Sequence, residues 1–193
     1  MLQNTMFTPE SSWSVPDVFP QFSETETVAI DLETYDPHLM TCGPGWATGR
    51  GHVVGIGVAV DDWQGYFPIR HEGGGNLDET VVIRWLSTLL SSEKREVIFH
   101  NALYDVGWLR REGIIVKGKI LDTIVAAPLI DENRFSYSLD NLGDHYCDEK
   151  KDESLLQDAA LAYGINPKSE MYKLPAKYVG PYGEQDAALT LKL

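Results

Sequence analysis

Asp31 and Glu33 stand two residues apart, directly after Val28-Ala29-Ile30, a short apolar run that reads as a buried β-strand. Residues i and i+2 of a strand point the same way, so both carboxylates leave one side of a sheet together. Buried acids are costly unless they are paired or bound to metal. No Lys or Arg stands nearby in sequence to pair them, which leaves a distant Arg or a cation. Asn101 and Asp105 are four apart at the start of a helical stretch and share a face. Taken alone, Asn101 would pass for an N-cap and Asp105 for a surface acid. Tyr182 and Asp186 repeat the four-residue spacing, with Pro181 tolerated in a first helical turn. Asp186 borders Ala187-Ala188-Leu189 and so lies near a buried helix face.

In this order and context, Asp31, Glu33, Asp105 and Asp186 can converge at the edge of one sheet. Two unit charges 4 Å apart repel by about 4 kcal/mol at an effective dielectric of 20. Three close carboxylates must therefore protonate or hold cations. With oxygen ligands and no convergent His or Cys, the matching ions are hard ones, Mg²⁺ or Mn²⁺. Two such ions about 3.5–4 Å apart stabilise the attacking and leaving oxygens of phosphodiester cleavage.

The elements that must position these groups are legible in outline. Strands are expected at 28–34, 52–60, 65–69, 96–100 and near 119–122, with the second and third joined by a tight turn as an antiparallel hairpin. Gly55 and Gly57 in the second strand imply a close backbone approach or a bulge. Helical spacing covers 78–90, 101–113, about 123–130, 138–147, 152–163 and 179–193. The Gly- and Pro-rich stretch 36–51 reads as a loop, as do Gly73, Gly74 and Gly75, which lack the Lys-Ser/Thr of a phosphate loop. Early strands with later interleaved helices give an α/β domain. Residues 1–26 form a polar lead-in, packed by Trp13 and Phe22, before a domain spanning 27–193. Residues 151–175 read as a helical insertion that gates the site or packs beside it. The helical pattern carries no stop signal at Leu193, so the expectation is a chain that continues.

Composition bounds the rest. The 193 residues include 16 Lys and Arg against 29 Asp and Glu, a net charge of −13, where a generic phosphate-backbone binder is basic. Cys42 and Cys147 read as free thiols of a reducing compartment. No secretory leader and no apolar run of membrane-spanning length is visible, so a soluble, cytoplasmic protein is expected.

The segments Asp31-Leu32-Glu33, Asn101 to Asp105, and Tyr182 to Asp186 resemble the three motifs of the DEDD family of 3′→5′ exonucleases, in its Tyr-containing subgroup. Their flanks, with GPGWATGRGHVVGIGVA, RHEGGGNLDE, ILDTIVAAPLIDEN and YSLDNLG, resemble the proofreading domain of phage-type family A DNA polymerases. The resemblance runs from about residue 26 to the end. It implies a ribonuclease H-like fold with a mixed five-stranded sheet flanked by helices on both faces. It implies hydrolysis at the 3′ end of single-stranded or frayed DNA, releasing 5′-mononucleotides, with a C-terminal polymerase domain on the same chain. It assigns one ion to Asp31, Glu33 and Asp186, a second bridged by Asp31 with Asp105 acting largely through water, and the orientation of the attacking water to Tyr182. Thr34 and Asn101 would contact substrate. A phage protein would work in the host cytoplasm.

Tyr35, Phe135 and Tyr172 could stack on bases, with packing the favoured reading for each. His100 reads as structural, and Asp144, His145 and Cys147 as a coincidence of helix faces. Two other functions stay open. A stand-alone exoribonuclease resembling ribonuclease D would need a basic binding region that this chain lacks. A non-catalytic acidic scaffold of a polymerase would not need the full set of acids.

Overall fold

The computed structural model describes residues 8–193; the first seven residues of the lead-in lie outside the described part. Five strands form one sheet: β1 (Val28–Tyr35), β2 (His52–Val60), β3 (Trp63–Pro68), β4 (Glu96–Phe99) and β5 (Lys119–Asp122). Their order is β3-β2-β1-β4-β5. β1, β2 and β3 pair antiparallel. β4 joins β1, and β5 joins β4, in parallel.

The two-residue alternation of β1 divides the molecule. Val28, Ile30 and Leu32 join Ile56, Val58 and Phe67 in the main core. That core is completed by Val82, Leu86 and Leu89 of α3 (Glu79–Leu89) and by Trp108 and Leu109 of α4 (Ala102–Arg111). Ala29, Asp31 and Glu33 point the other way, toward α8 (Ala176–Lys192), where Ala29, Ala59 and Ala187 make a thin layer of small side chains. Small residues there let the helix lie close. A Cβ on Gly57 would stand 2.3 Å from the carbonyl oxygen of Gly183 in α8, so only glycine fits at that strand position. The sheet therefore has helices on both faces, as expected of a mixed α/β fold.

Three local expectations are corrected. The 36–51 stretch is not wholly loop. It holds two single helical turns, α1 (Leu39–Cys42) and α2 (Gly45–Thr48), each closed by a glycine at positive φ, Gly43 at 82° and Gly49 at 77°. Helix α8 starts at Ala176 rather than 179, so Pro181 falls inside it and not in its first turn. Proline there deprives the Lys177 carbonyl of its helical donor. Ser11 Oγ of the lead-in supplies the replacement at 2.8 Å. Third, 138–147 is not one α-helix but α6 (Leu139–Leu142) running into a π-helical turn, Gly143–Cys147.

Residues 8–26 contact the rest of the chain through several side chains. Trp13 covers Gly180 and donates its indole N–H to Glu184 at 2.8 Å. Phe19 stacks on Phe67 and Phe22 leans on Trp63, each with ring centres 5.5 Å apart. The remaining elements are α5 (Thr123–Ile130), α7 (Ser154–Tyr163) and a 3₁₀ turn, Met171–Lys173. Leu156 and Ala159 of α7 pack with Tyr178 and Val179 of α8, so the 151–175 segment, helical over α7 and the 3₁₀ turn, lies beside the third motif. Cys42 and Cys147 are free thiols. Among the described residues no helix is long and apolar enough to cross a membrane.

Candidate active site

The first two acids sit mid-sheet on the α8 side, opposite glycines. Asp31 pairs with Gly57 and Glu33 with Gly55. No β2 side chain crowds the carboxylates, and the space over Gly55 is taken by the Tyr66 ring, whose hydroxyl would meet a Cβ there at 2.0 Å. A register shift between Glu33 and Thr34 interrupts the ladder just past the acids, and pairing resumes at Thr34–Val53. From the other side α8 brings Asp186. One carboxylate oxygen from each of Asp31, Glu33 and Asp186 lies within 4.8 Å of the others.

Asp105 stands beside this trio, on α4, and its Oδ1 accepts the backbone N–H of Leu32 at 3.2 Å. The turn that launches α4 is unusual. Asn101 has φ 80°, a left-handed conformation that Asn tolerates better than most residues, and its side chain makes no capping bond. The cap comes instead from Asp122 at the end of β5, which accepts from Asn101 N at 2.9 Å and Ala102 N at 2.8 Å. Asn101 is exposed at the sheet edge. Thr34 has its hydroxyl 2.8 Å from the Tyr104 hydroxyl, which in turn donates to Asp36 at 3.1 Å.

A lysine that sequence reasoning did not single out completes the site. Lys151 Nζ lies 2.8 Å from Asp186 Oδ1 and 2.9 Å from Oδ2, and only Oδ2 accepts a well-aligned hydrogen bond. The same ammonium donates to the Tyr182 hydroxyl at 3.2 Å and sits 4.4 Å from the centre of its ring. The sequence offers no nearby Lys or Arg and leaves a distant Arg open; the partner is instead a lysine, 35 positions before Asp186. Its one signal was the placing of Lys150-Lys151 between two acidic pairs, Asp148-Glu149 and Asp152-Glu153, which reads equally well as solvated charge.

The electrostatics match a site built for cations. Burial, and then the charge of Asp186, push the Asp31 carboxyl up to about 8, against a partial offset from Lys151. Glu33 and Asp105 are held well above the usual carboxylate range, by burial first and the charge of Asp31 second. Burial raises Asp186 too, against the pull of Lys151. The Tyr182 phenol is pushed far above its ordinary range by burial and by Glu33, so it stays neutral.

These residues fit a divalent ion. The donors are all oxygens, the preference of hard cations. Asp186 Oδ1 is buried and receives no aligned hydrogen bond; the positive charge it faces is the Lys151 ammonium at 2.8 Å. An ion with bonds of about 2.0–2.1 Å holds neighbouring oxygens about 3 Å apart, so the trio would close in around it.

The aromatic candidates divide. Tyr35 and Tyr172 pack on each other with ring centres 4.3 Å apart. Phe135 does not pack: it is 108% exposed, against the packing reading. His100 hydrogen-bonds through Nδ1 to the Thr123 hydroxyl at 2.7 Å, as befits a structural residue. Asp144, His145 and Cys147 lie on the π-helical turn away from the acid trio.

A five-stranded mixed sheet carrying this acid trio with Asp105 and Tyr182 defines a ribonuclease H-like nuclease of the DEDD class. Solved structures agree on the fold. The catalytic core of RRP6 from Trypanosoma brucei superposes with a TM-score of 0.56 at 20% identity, covering 86% of this chain and 38% of that one. Brucella melitensis NrnC bound to pGG gives 0.58 at 16% identity, covering 86% and 68%. The family model described as 3′-5′ exonuclease matches residues 8–193, and the chain belongs to that family, the exonuclease domain of family A DNA polymerases. A DNA-directed DNA polymerase of Pseudomonas phage M6 is 40% identical over 201 residues, covering all of this chain and 30% of the relative. The DNA polymerase DpoZ of Salmonella phage PMBT28 is 27% identical over 183 residues, covering 91% and 27%. The chain thus spans less than a third of the length of these curated relatives. Enzymes of this family use divalent metal ions, in keeping with the acid trio.

Proposed function

We propose that this chain removes 5′-mononucleotides from the 3′ end of single-stranded or frayed DNA, as the proofreading part of a phage DNA polymerase in the host cytoplasm. The observation that carries the reading is the convergence of Asp31, Glu33 and Asp186 within 4.8 Å, with Tyr182 one helical turn from Asp186. Asp31, Glu33 and Asp186 would hold one Mg²⁺ or Mn²⁺, and Asp31 with Asp105 a second. Bound there, such ions supply the charge that activates water and stabilises the attacking and leaving oxygens.

The chain's own residues do the rest. Tyr182, held neutral, orients the attacking water by hydrogen bonding rather than by taking its proton. Thr34 and Asn101, at the open edge beside the acids, contact the terminal nucleotide. Residues 8–26 clasp the back of the 27–193 domain. The −13 chain has few means of gripping an extended duplex, so a short 3′ tail is delivered by a basic partner, the polymerase domain that the phage relatives carry.

The test is hydrolysis of a single-stranded DNA oligonucleotide, labelled at its 5′ end to follow shortening, with released products identified by chromatography. Mononucleotide release with Mg²⁺ or Mn²⁺, abolished by Asp31→Ala, is expected. Failure to cleave with either metal would refute the catalytic reading, and a strong preference for RNA would favour the ribonuclease D-like alternative.

A further inference from the structure

We propose that Lys151 is a positioning residue of the exonuclease reaction, fixing Tyr182 and Asp186 relative to each other. The inference rests on the proposed function and adds a residue to it. The three groups form one contact: the ammonium donates to Asp186 Oδ2 at 2.9 Å and to the Tyr182 hydroxyl at 3.2 Å, with the ring face 4.4 Å away. Donation to the phenol oxygen leaves the phenol's own O–H free to donate. The ammonium stands 2.8 Å from Oδ1 and 2.9 Å from Oδ2 of Asp186, so it holds the whole carboxylate in place, with the aligned hydrogen bond on Oδ2.

The loop carrying Lys151 is held for this purpose. Gln185, between Tyr182 and Asp186 on α8, grips the backbone on both sides of the lysine. Its side-chain oxygen accepts from Asp152 N at 2.9 Å, and its amide donates to the Lys150 carbonyl at 3.5 Å. Asp140 at 3.4 Å and Glu153 at 3.8 Å ring the ammonium further out. The Lys151 side chain is only 8% exposed. A lysine that merely balanced surface charge would remain in water and need no such clamp.

Lys151→Met keeps the stem and removes the charge. With wild type and Asp31→Ala as controls on the same oligonucleotide, kcat at saturating Mg²⁺ is expected to fall about 10²-fold with KM within about threefold. Calorimetric titration with Mn²⁺ in the absence of DNA is expected to show binding at least as tight as wild type, since a repelling positive charge is gone. Tighter metal with slower turnover is a pair that loss of structure does not produce. Unchanged kcat overturns the inference while the Asp31→Ala control leaves the exonuclease reading standing. Metal affinity falling in step with kcat also overturns it, because the lysine would then only hold the acids together. Gln185→Ala, which keeps the ammonium and frees its loop, should lower kcat about tenfold with Mn²⁺ affinity unchanged. It decides the matter if Lys151→Met does not fold, an unchanged kcat again counting against the inference.

Discussion

Asp105 Oδ1 accepts the backbone N–H of Leu32 at 3.2 Å, across 73 positions of sequence. Leu32 is the residue between Asp31 and Glu33, so the second motif is bolted to the middle of the first. Asp105 therefore has a structural duty apart from any duty to a cation, and substitutions should separate the two. Asp105→Asn can keep an acceptor for Leu32 and removes the charge. It should melt at or above the wild-type temperature without metal, yet lose about 10²-fold or more in turnover. Asp105→Ala orphans a buried N–H and should cost about 1–3 kcal/mol of stability besides. Urea unfolding in EDTA, set beside single-turnover hydrolysis, checks both; equal stability of the two variants would contradict the bolt.

The raised carboxyls set a pH dependence with a definite sign. Burial pushes the Asp31 carboxyl up to about 8 in the folded protein, against an ordinary 3.8. Between these values the folded state binds the extra proton, so this group's contribution to metal-free stability is full below about 4 and is lost as pH climbs through 8. Glu33 and Asp105 are shifted the same way. Melting temperature in EDTA should thus fall from pH 5 to pH 8, and Mg²⁺ or Mn²⁺ should restore it most at pH 8. Identical pH profiles with and without metal would count against a cation site here.

Gly57 tests the packing of α8 against the sheet. A methyl there meets the Gly183 carbonyl oxygen, part of the helix backbone and unable to swing aside. Gly57→Ala should destabilise by about 1–3 kcal/mol. Because Gly183 lies between Tyr182 and Asp186, turnover should fall further than the population of folded protein does. Circular dichroism melts compared with activity well below the melting temperature would show it, and activity that simply tracks the folded fraction would argue against this coupling.

The acidic balance predicts a shallow salt response. Single-stranded binding loses about 0.7 of a log unit per log unit of salt for each phosphate engaged. A tail of about three phosphates gives a slope near −2. Fluorescence anisotropy with Ca²⁺ in place of the catalytic metal measures it, and a slope near −5 would mean an extended phosphate grip that the −13 chain is not expected to have.

Much of this was legible because it is local. Two-residue alternation put Asp31 and Glu33 on one face, and four-residue spacing put Tyr182 over Asp186, whatever the rest of the chain does. Gly55 and Gly57 announced a close approach before there was anything to approach. The sequence by itself determined the candidate acid set, the strand and helices that bear it and the hard-cation chemistry it favours. Only the tertiary structure decided what stands against those acids. Lys151 reaches Asp186 because α7 packs on α8, and Asp122 rather than Asn101 caps α4 because β5 ends beside it. Ser11 satisfies the carbonyl that Pro181 leaves open because the lead-in crosses α8 there. These pairings join residues tens to more than a hundred positions apart, and no periodicity encodes a contact that exists only once the sheet and its helices have packed.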